Sequence, residues 1–137
     1  MIYAVIDTNV LVSALLSQHS DAATVQVVSN ISEKGICPLY NKEILAEYKD
    51  VLNRSKFSFP SKAIASILNS IKTVGLNTNR VPSKEDFPDS KDVVFYEVAL
   101  SKEDAYLVTG NKKHFPKTPI VVTPSEMLEI LQREGVL

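Results

Sequence analysis

The chain has 137 residues, a length that suits one domain with a single hydrophobic core. Its 45% hydrophobic and 23% charged residues are typical of a folded, water-soluble protein, and no apolar run is long enough to cross a bilayer. A net charge of −1 argues against a protein held on nucleic acid by charge alone, but it allows an enzyme that contacts a few phosphates through a local patch.

In the first half of the chain, apolar runs alternate with helix signals. Residues 2–6, IYAVI, form a continuous apolar run typical of a buried parallel strand, and a helix over about 9–18 can follow directly. Four further elements are predicted: a helix from Ser20 or Asp21 to about Lys34 with Gly35 as its stop, a short strand over 36–39, a helix from its N-cap Asn41 to about 53, and a helix over 61–74 that Gly75 ends.

In the second half, prolines and charges separate shorter elements. The pattern predicts a weak strand over 76–81, a loop over 82–91, a helix over 92–101, a strand over 106–109, a loop over 110–118 and a strand over 120–122. Thr123, Pro124 and Glu126 then form a capping-box pattern before a last helix, with Gly135 beyond its end. Strands alternating with helices predict an α/β fold: a three-layer α/β/α sandwich around a parallel sheet of four or five strands, in one domain over residues 1–137.

The cysteine content and the start of the chain bear on the compartment. A lone cysteine, Cys37, cannot form an internal disulfide, and its apolar neighbours predict a buried structural thiol. No basic residue precedes the first apolar run and an acid follows it at once, which is not the pattern of a secretion signal. We therefore expect a cytoplasmic protein.

Polar residues follow two strands of the predicted sheet. Asp7 ends the first strand and residues 109–111 follow a later one, so both groups are expected at the carboxyl-end rim where open parallel sheets bind ligands. Asp92 opens the helix that leads into that later strand. Glu47 lies on the flank of its helix's apolar stripe, where it could face the same rim.

Each of these acids also has a simpler interpretation. Asp7 and Asp92 could serve only as helix N-caps, because acids favour that position. Most glutamates on helices are solvated, and Glu43 and Asp50 compete with Glu47 for a role on the same helix. From these residues alone the choice stays open.

Carboxylates brought together at one rim favour a metal site. They repel one another and raise one another's pKa unless a positive charge lies between them, and all-oxygen ligands suit Mg²⁺ or Mn²⁺. Such an ion can activate water towards a phosphodiester. His19 and His114 are far apart and lack ligand-spaced partners, which argues against zinc. The glycines form no phosphate-binding loop motif, and no serine lies in a GxSxG setting.

Four segments of the chain together resemble a known family: DTNVLVSAL, ILAEYKDVL, DSKDVVFYEVAL and AYLVTGNKKHF. In this order and spacing they are similar to PIN domains, in the VapC-like branch described as toxins of toxin–antitoxin systems. The resemblance extends over essentially the whole chain. It implies a Rossmann-like α/β/α sandwich, cleavage of RNA phosphodiester bonds with Mg²⁺ or Mn²⁺, a cognate antitoxin protein as partner, and a homodimer.

The resemblance also implies roles for individual acids. Asp7 matches the first family acid, Glu47 the acid of the third helix, and Asp92 the acid that begins the helix before the last conserved strand. These three are the expected catalytic residues and metal ligands. Asp89 fits the third position less well. Asn111 stands where many PIN domains carry a fourth acid, so it is expected to offer a metal an oxygen without a charge and to weaken any second metal.

Further residues on the rim are expected to support the ligands or the substrate. Asn9 and Thr109 are expected to hydrogen-bond the ligands or a phosphate oxygen. Basic residues of the same rim are expected either to contact phosphates or to form a solvated face: Lys112 and Lys113, followed by His114, with Lys91 and Lys117 nearby.

Three functional hypotheses follow. The leading one is a Mg²⁺- or Mn²⁺-dependent endoribonuclease, the toxin of a toxin–antitoxin pair. The second keeps the PIN fold as a catalytically weak module that binds protein or RNA, and Asn111 motivates it. The third, phosphoryl transfer through an aspartyl-phosphate, needs an acid two residues after Asp7, and Asn9 stands there instead.

Overall fold

The computed structural model describes residues 1–137 and contains one sheet of five parallel strands. The strands are β1 (Ile2–Ile6), β2 (Ile36–Tyr40), β3 (Leu76–Asn77), β4 (Tyr106–Val108) and β5 (Val121–Val122). Their order across the sheet is β3-β2-β1-β4-β5, with every neighbouring pair parallel. The chain first adds β2 and β3 on one side of β1, and then β4 and β5 on its other side. The carboxyl ends of β1 and β4 therefore lie side by side at the topological switch point.

Six helices flank the sheet: α1 (Thr8–Leu16), α2 (Ala23–Ser32), α3 (Lys42–Leu52), α4 (Ser61–Val74), α5 (Val93–Ala99) and α6 (Pro124–Arg133). Helix α5 packs on β1, β2 and β4 and also contacts α3, while α2 contacts α1, α4, α6 and β2. The predicted α/β/α sandwich is thereby confirmed, with five strands. None of the helices has the length and apolar character that a membrane span requires.

The core lies around the central strand. Ala4, Val5 and Ile6 of β1 are inaccessible to solvent, because β2 and β4 pair with this strand on both edges and helices cover its faces. Cys37 of β2 is buried, as predicted for a structural thiol. Asp7, the next residue, therefore follows directly on the tightly packed end of the central strand.

Several predicted helix boundaries are confirmed. Asn41 caps α3 by accepting a hydrogen bond from the Ile44 amide at 2.8 Å. Helix α4 has its predicted bounds, and α6 begins with a complete capping box between Thr123 and Glu126. Beyond it, Gly135 adopts a positive φ of 73°.

The start and end of α2 differ from the prediction. The helix begins at Ala23 with no side-chain cap, so neither Ser20 nor Asp21 serves. Its end is marked by Lys34, which takes the left-handed φ of 64° expected of the glycine. Gly35 is needed for another reason, since a Cβ there would lie 2.6 Å from the Asn30 side-chain oxygen.

Most of the other elements end earlier than predicted, whereas β2 extends one residue further, to Tyr40. The strand predicted over 76–81 stops at Asn77, and the Val81 amide donates to the Glu97 carbonyl of α5 instead of to a strand. The loop over 82–91 ends in a 3₁₀ turn, Ser90–Asp92, so α5 starts and ends inside 92–101. A second 3₁₀ turn, Lys112–His114, lies within the loop predicted over 110–118. Helix α1 and strands β4 and β5 differ from the predictions by one or two residues at their ends.

Candidate active site

Asp7 lies at the carboxyl end of β1 and faces the neighbouring strand. Its amide donates to the Val108 carbonyl of β4 at 2.9 Å, and its Oδ2 accepts from the Thr109 hydroxyl at 2.8 Å. Only 7% of Asp7 is exposed. The residue occupies the N-cap position of α1, but its side chain makes no capping hydrogen bond. Asp7 is therefore the N-cap of α1 by position, as the simpler interpretation expected, but its carboxylate is held by Thr109 rather than used to cap the helix.

The predicted meeting of the two rim segments is confirmed. The Thr109 hydroxyl, which donates to Asp7, accepts from the Asn111 amide at 3.0 Å. The Asn9 side-chain oxygen accepts from the Gly110 amide at 3.1 Å. Thr109 thus supports Asp7 directly, whereas Asn9 holds the turn after β4 and contacts no acid.

Helix α3 places Glu47 beside this rim. The Tyr48 hydroxyl is buried and donates to the Ile6 carbonyl, which ties the middle of α3 to the residue before Asp7. Glu47, the adjacent residue, is half-buried and close enough to Asp7 and Asp92 to raise the pKa of both carboxyls.

The two rival acids of α3 have other partners. Glu43 accepts from the Arg80 guanidinium at 2.8 Å, and Asp50 pairs with Arg54 at 3.1 Å on an exposed face. Among the acids of α3, Glu47 is the one without an ion pair. The geometry therefore agrees with the choice of Glu47 that the family resemblance made.

Asp92 stands at the N-terminus of α5, yet it makes no capping hydrogen bond there. Asp89 caps the preceding 3₁₀ turn instead, by accepting from the Lys91 amide at 2.9 Å. Oδ2 of Asp92 is buried without a hydrogen-bond partner, and Nδ1 of the His114 imidazole lies 3.5 Å from it. Asp92 thus holds the N-cap position of α5, but its carboxylate does not cap the helix.

Burial and mutual repulsion disfavour the charged forms of these acids. Burial, followed by the charges of Asp7 and Asp89, raises the pKa of Asp92 to about 6, and His114 offsets this only in part. Burial also raises the pKa of Asp7, although the hydrogen bond from Thr109 works against the shift. An electropositive ligand would remove this penalty.

The donors at this rim fit a hard divalent cation. The facing groups are carboxylates, and the unpartnered Oδ2 of Asp92 lacks a counterpart that a cation would provide. As the side chains stand, no three His, Cys, Asp or Glu groups are close enough to form a preassembled metal cluster. The ligand set of Asp7, Glu47, Asp92 and Asn111 therefore stays a prediction. The side-chain amide nitrogen of Asn111, Nδ2, lies 3.1 Å from Nε2 of His114.

A basic cleft of about 500 Å³ adjoins the rim. Its walls include Lys112, Lys113 and Lys117 together with Phe115 and two prolines of the same loop. Lys112 is not free, because its ammonium pairs with Glu126 of the α6 capping box at 3.1 Å. Lys113 has no ion pair, so of the two predicted phosphate contacts it is the more available.

Sequence reasoning missed three contacts of the site. Arg80 joins α3 to α5 through Glu43 and Glu97, and no local pattern pairs residues so far apart in the chain. The apolar spacing of the helix over 41–53 likewise gives no indication that the Tyr48 hydroxyl ties α3 to β1. The contact between His114 and Asp92 was likewise not foreseen, although His114 was placed on this rim.

An all-parallel sheet with helices on its faces and acids at the carboxyl end of its central strand defines a Rossmann-like α/β protein with a ligand site at the switch point. The PIN domain family matches residues 3–113, and the chain belongs to that family. PIN domains are generally nucleases, and these nucleases generally use divalent metal ions. Comparison with curated proteins gave no match.

Proposed function

We propose that this PIN domain is a metal-dependent endoribonuclease in which Asp7, Glu47 and Asp92 hold Mg²⁺ or Mn²⁺. The observation that carries the proposal is Oδ2 of Asp92, a buried carboxylate oxygen without a hydrogen-bond partner, on a carboxylate that interacts electrostatically with both other acids. Leaving such an oxygen unsatisfied costs free energy, and a cation is the partner that three neighbouring carboxylates select.

The chain's own residues would fix the geometry of the reaction. Thr109 orients Asp7 through its hydroxyl, and Tyr48 anchors α3 so that Glu47 stays beside the same strand end. When bound, the divalent cation supplies activation of water and stabilisation of negative charge on the phosphodiester. The packed strand β1 excludes water from behind Asp7, which keeps that carboxylate in one place.

The basic cleft supports RNA as the substrate. Lys113 and Lys117 would contact backbone phosphates on the side of the rim that begins at Asn111. The chain has no overall basic excess, so binding would depend on this local patch and on the cation rather than on net charge.

RNA cleavage by the purified protein tests the proposal. We expect cleavage of single-stranded RNA with Mn²⁺ or Mg²⁺, none with a chelator, and a loss of about a hundredfold or more for Asp7→Asn at a thermal midpoint no lower than that of wild type. Asp50→Asn is the matched control, because it makes the same substitution on an exposed face of α3 and should keep activity. Cleavage that persists in Asp7→Asn or in the chelator would refute the proposal.

The cellular role that we propose is that of a toxin with a cognate antitoxin protein, acting in the cytoplasm as a homodimer. It rests on the resemblance of the DTN, ILAEYKDVL and TGN segments. A short neighbouring reading frame that encodes a DNA-binding protein, and that neutralises this chain on co-expression, is the expected finding. Light scattering measures the homodimer directly, and a monomer at micromolar concentration would contradict that part.

A second candidate is a catalytically weak PIN module that binds RNA or protein. The feature that favours it is Asn111, which brings no charge to the rim and contacts His114. Calorimetric titration with Mn²⁺ separates the candidates, because the enzyme requires binding in the millimolar range or tighter and the weak module does not.

A further inference from the structure

Arg80 joins two helices that carry acids of the candidate site. It lies in the segment between β3 and the 3₁₀ turn Ser90–Asp92. Its Nη1 donates to both carboxylate oxygens of Glu43 on α3, at 2.8 and 3.1 Å. Its Nε and Nη2 both lie 2.8 Å from Oε1 of Glu97 on α5. One guanidinium thus bridges α3 and α5.

Both ends of this bridge are close to the site. Glu43 is one helical turn before Glu47, so the two lie on the same face of α3. Glu97 belongs to the helix that Asp92 begins, and its side chain is only 10% exposed. Its other oxygen accepts from the Ser83 amide at 2.7 Å, so this carboxylate is fixed on both sides.

We propose that Arg80 is a positioning residue that sets the spacing of α3 and α5, and with it the spacing of Glu47 and Asp92. The role rests on the proposed function, because it matters through the cation that these two acids would share. A planar guanidinium with several donors suits the task, since it can hold two carboxylates at once in a fixed geometry.

Direct binding of an RNA phosphate by Arg80 is less consistent with the contacts. Arg80 does line a small cleft with Glu47 and Lys91. Its guanidinium, however, is already held by Glu43 and Glu97, and a phosphate would have to displace these carboxylates. The charges that line this cleft also balance, two acidic against two basic side chains, so the cleft offers an anion no net positive charge.

The positioning role and simple electrostatics predict opposite changes in cation affinity when Arg80 is replaced by alanine. Removing a positive charge close to a cation site should strengthen cation binding if charge alone matters. Removing a bridge that holds the ligands at the right spacing should weaken it, by about 10- to 100-fold for residues that orient metal ligands. The direction of the change therefore decides between them.

The experiment is calorimetric titration of the full chain with Mn²⁺. We expect Arg80→Ala to bind Mn²⁺ about 10- to 100-fold more weakly than wild type and Arg80→Lys to be intermediate, because one ammonium cannot hold both carboxylates. Arg54→Ala is the matched control: it removes the same charge from an exposed pair within α3 and should bind Mn²⁺ as tightly as wild type or slightly more tightly. Unchanged or tighter binding by Arg80→Ala would overturn the proposal, and a loss confined to RNA affinity would assign Arg80 to phosphate binding instead.

A metal-free measurement separates this proposal from the proposed function. Nitroxide labels on Lys49→Cys and Leu100→Cys, both exposed, report the distance between α3 and the end of α5, and the native Cys37 is buried. We expect Arg80→Ala, or Arg80→Lys where the alanine variant does not fold, to broaden or shift this distance. If wild type binds no Mn²⁺, the proposed function fails while the distance still decides the role of Arg80. An unchanged distance distribution would refute the positioning role.

Discussion

The two sides of the candidate site are built differently. On the sheet side, Asp7 follows three buried residues of β1, accepts a hydrogen bond from Thr109, and has α3 tied beside it through Tyr48. On the loop side, Asp92 stands between a 3₁₀ turn and a short helix, and its Oδ2 has no hydrogen-bond partner. The imidazole of His114, which lies 3.5 Å from that oxygen, belongs to the second 3₁₀ turn, Lys112–His114.

The difference shows how one site can combine a rigidly held ligand with a ligand whose unfavourable charge favours cation binding. The sheet side fixes one ligand, because a central strand paired on both edges cannot shift without disrupting the core. The loop side carries an electrostatic penalty, which raises the pKa of Asp92 to about 6. A bound cation would relieve that penalty. We therefore expect substitutions and pH changes at Asp92 to have the largest effects on cation binding and on stability.

The largest expected effect is on stability at the loop side. The raised folded-state pKa means that folded Asp92 binds more protons than the unfolded chain between about pH 4 and 6, so this carboxyl lowers stability as pH rises through that window. Asp92→Asn should therefore raise the free energy of unfolding by about 2 kcal/mol at pH 8 without metal, and by almost nothing below pH 4. Urea unfolding at both pH values measures this. Asp86→Asn, on an exposed loop position, should have no such effect, and an equal gain in both variants would contradict the assignment.

The next effect is the pH dependence of metal binding. With the Asp92 pKa at about 6, the cation must displace a proton below that pH, so Mn²⁺ affinity should fall about tenfold between pH 7 and pH 5. Burial also raises the pKa of Asp7, so a smaller dependence should remain in Asp92→Asn. Calorimetry in buffers of different ionisation enthalpy measures affinity and proton release together. A flat profile would mean that Asp92 is not a ligand.

A smaller effect is expected on the sheet side. Tyr48→Phe removes the buried hydrogen bond to the Ile6 carbonyl and should lower the free energy of unfolding by about 1 kcal/mol. It should also weaken Mn²⁺ binding if α3 then moves relative to Asp7. Tyr40→Phe, a half-buried tyrosine without a side-chain hydrogen bond, is the control for loss of a hydroxyl. Equal effects of the two substitutions would remove Tyr48 from the description of the site.

The smallest expected effect concerns the lysines of the loop side. Lys113→Gln should weaken binding of single-stranded RNA about two- to threefold and reduce the salt slope by about 0.7, the value for one lost phosphate contact. Lys112→Gln should do less, because Lys112 is already paired with Glu126. Fluorescence anisotropy across a salt series, with Asp7→Asn protein to prevent cleavage, measures both. A larger effect for Lys112 would reverse the assignment.

Local sequence signals were sufficient to predict elements whose structure depends on residues of the same segment. The apolar run of β1 and the capping box of Thr123 and Glu126 are predicted correctly, because their determinants lie within a few residues. The cap of α2 is not predicted correctly, because the N-cap residue of that helix is Ala22 and neither Ser20 nor Asp21 caps it. The strand predicted after Gly75 is cut short because Val81 bonds to α5, a contact that no local pattern contains.

The candidate site was predictable to the extent that fold class determines it. A parallel sheet brings strand ends to one rim, so the meeting of Asp7 with Thr109 follows from the alternation of strands and helices. The choice of Glu47 over its neighbours needed the family resemblance, since all three acids of α3 have similar local surroundings. The structure supplies the physical reason: Arg80 and Arg54 engage the other two.

The sequence alone determined the α/β class, the central strand and the acid that ends it, because hydrophobic periodicity and helix caps act over short distances. Only the tertiary structure decided which acids of α3 remain free of ion pairs, that the carboxylates of Asp7 and Asp92 make no capping hydrogen bond, and that Arg80 joins α3 to α5. These outcomes depend on side chains from distant segments whose proximity is set by the packing of helices on the sheet.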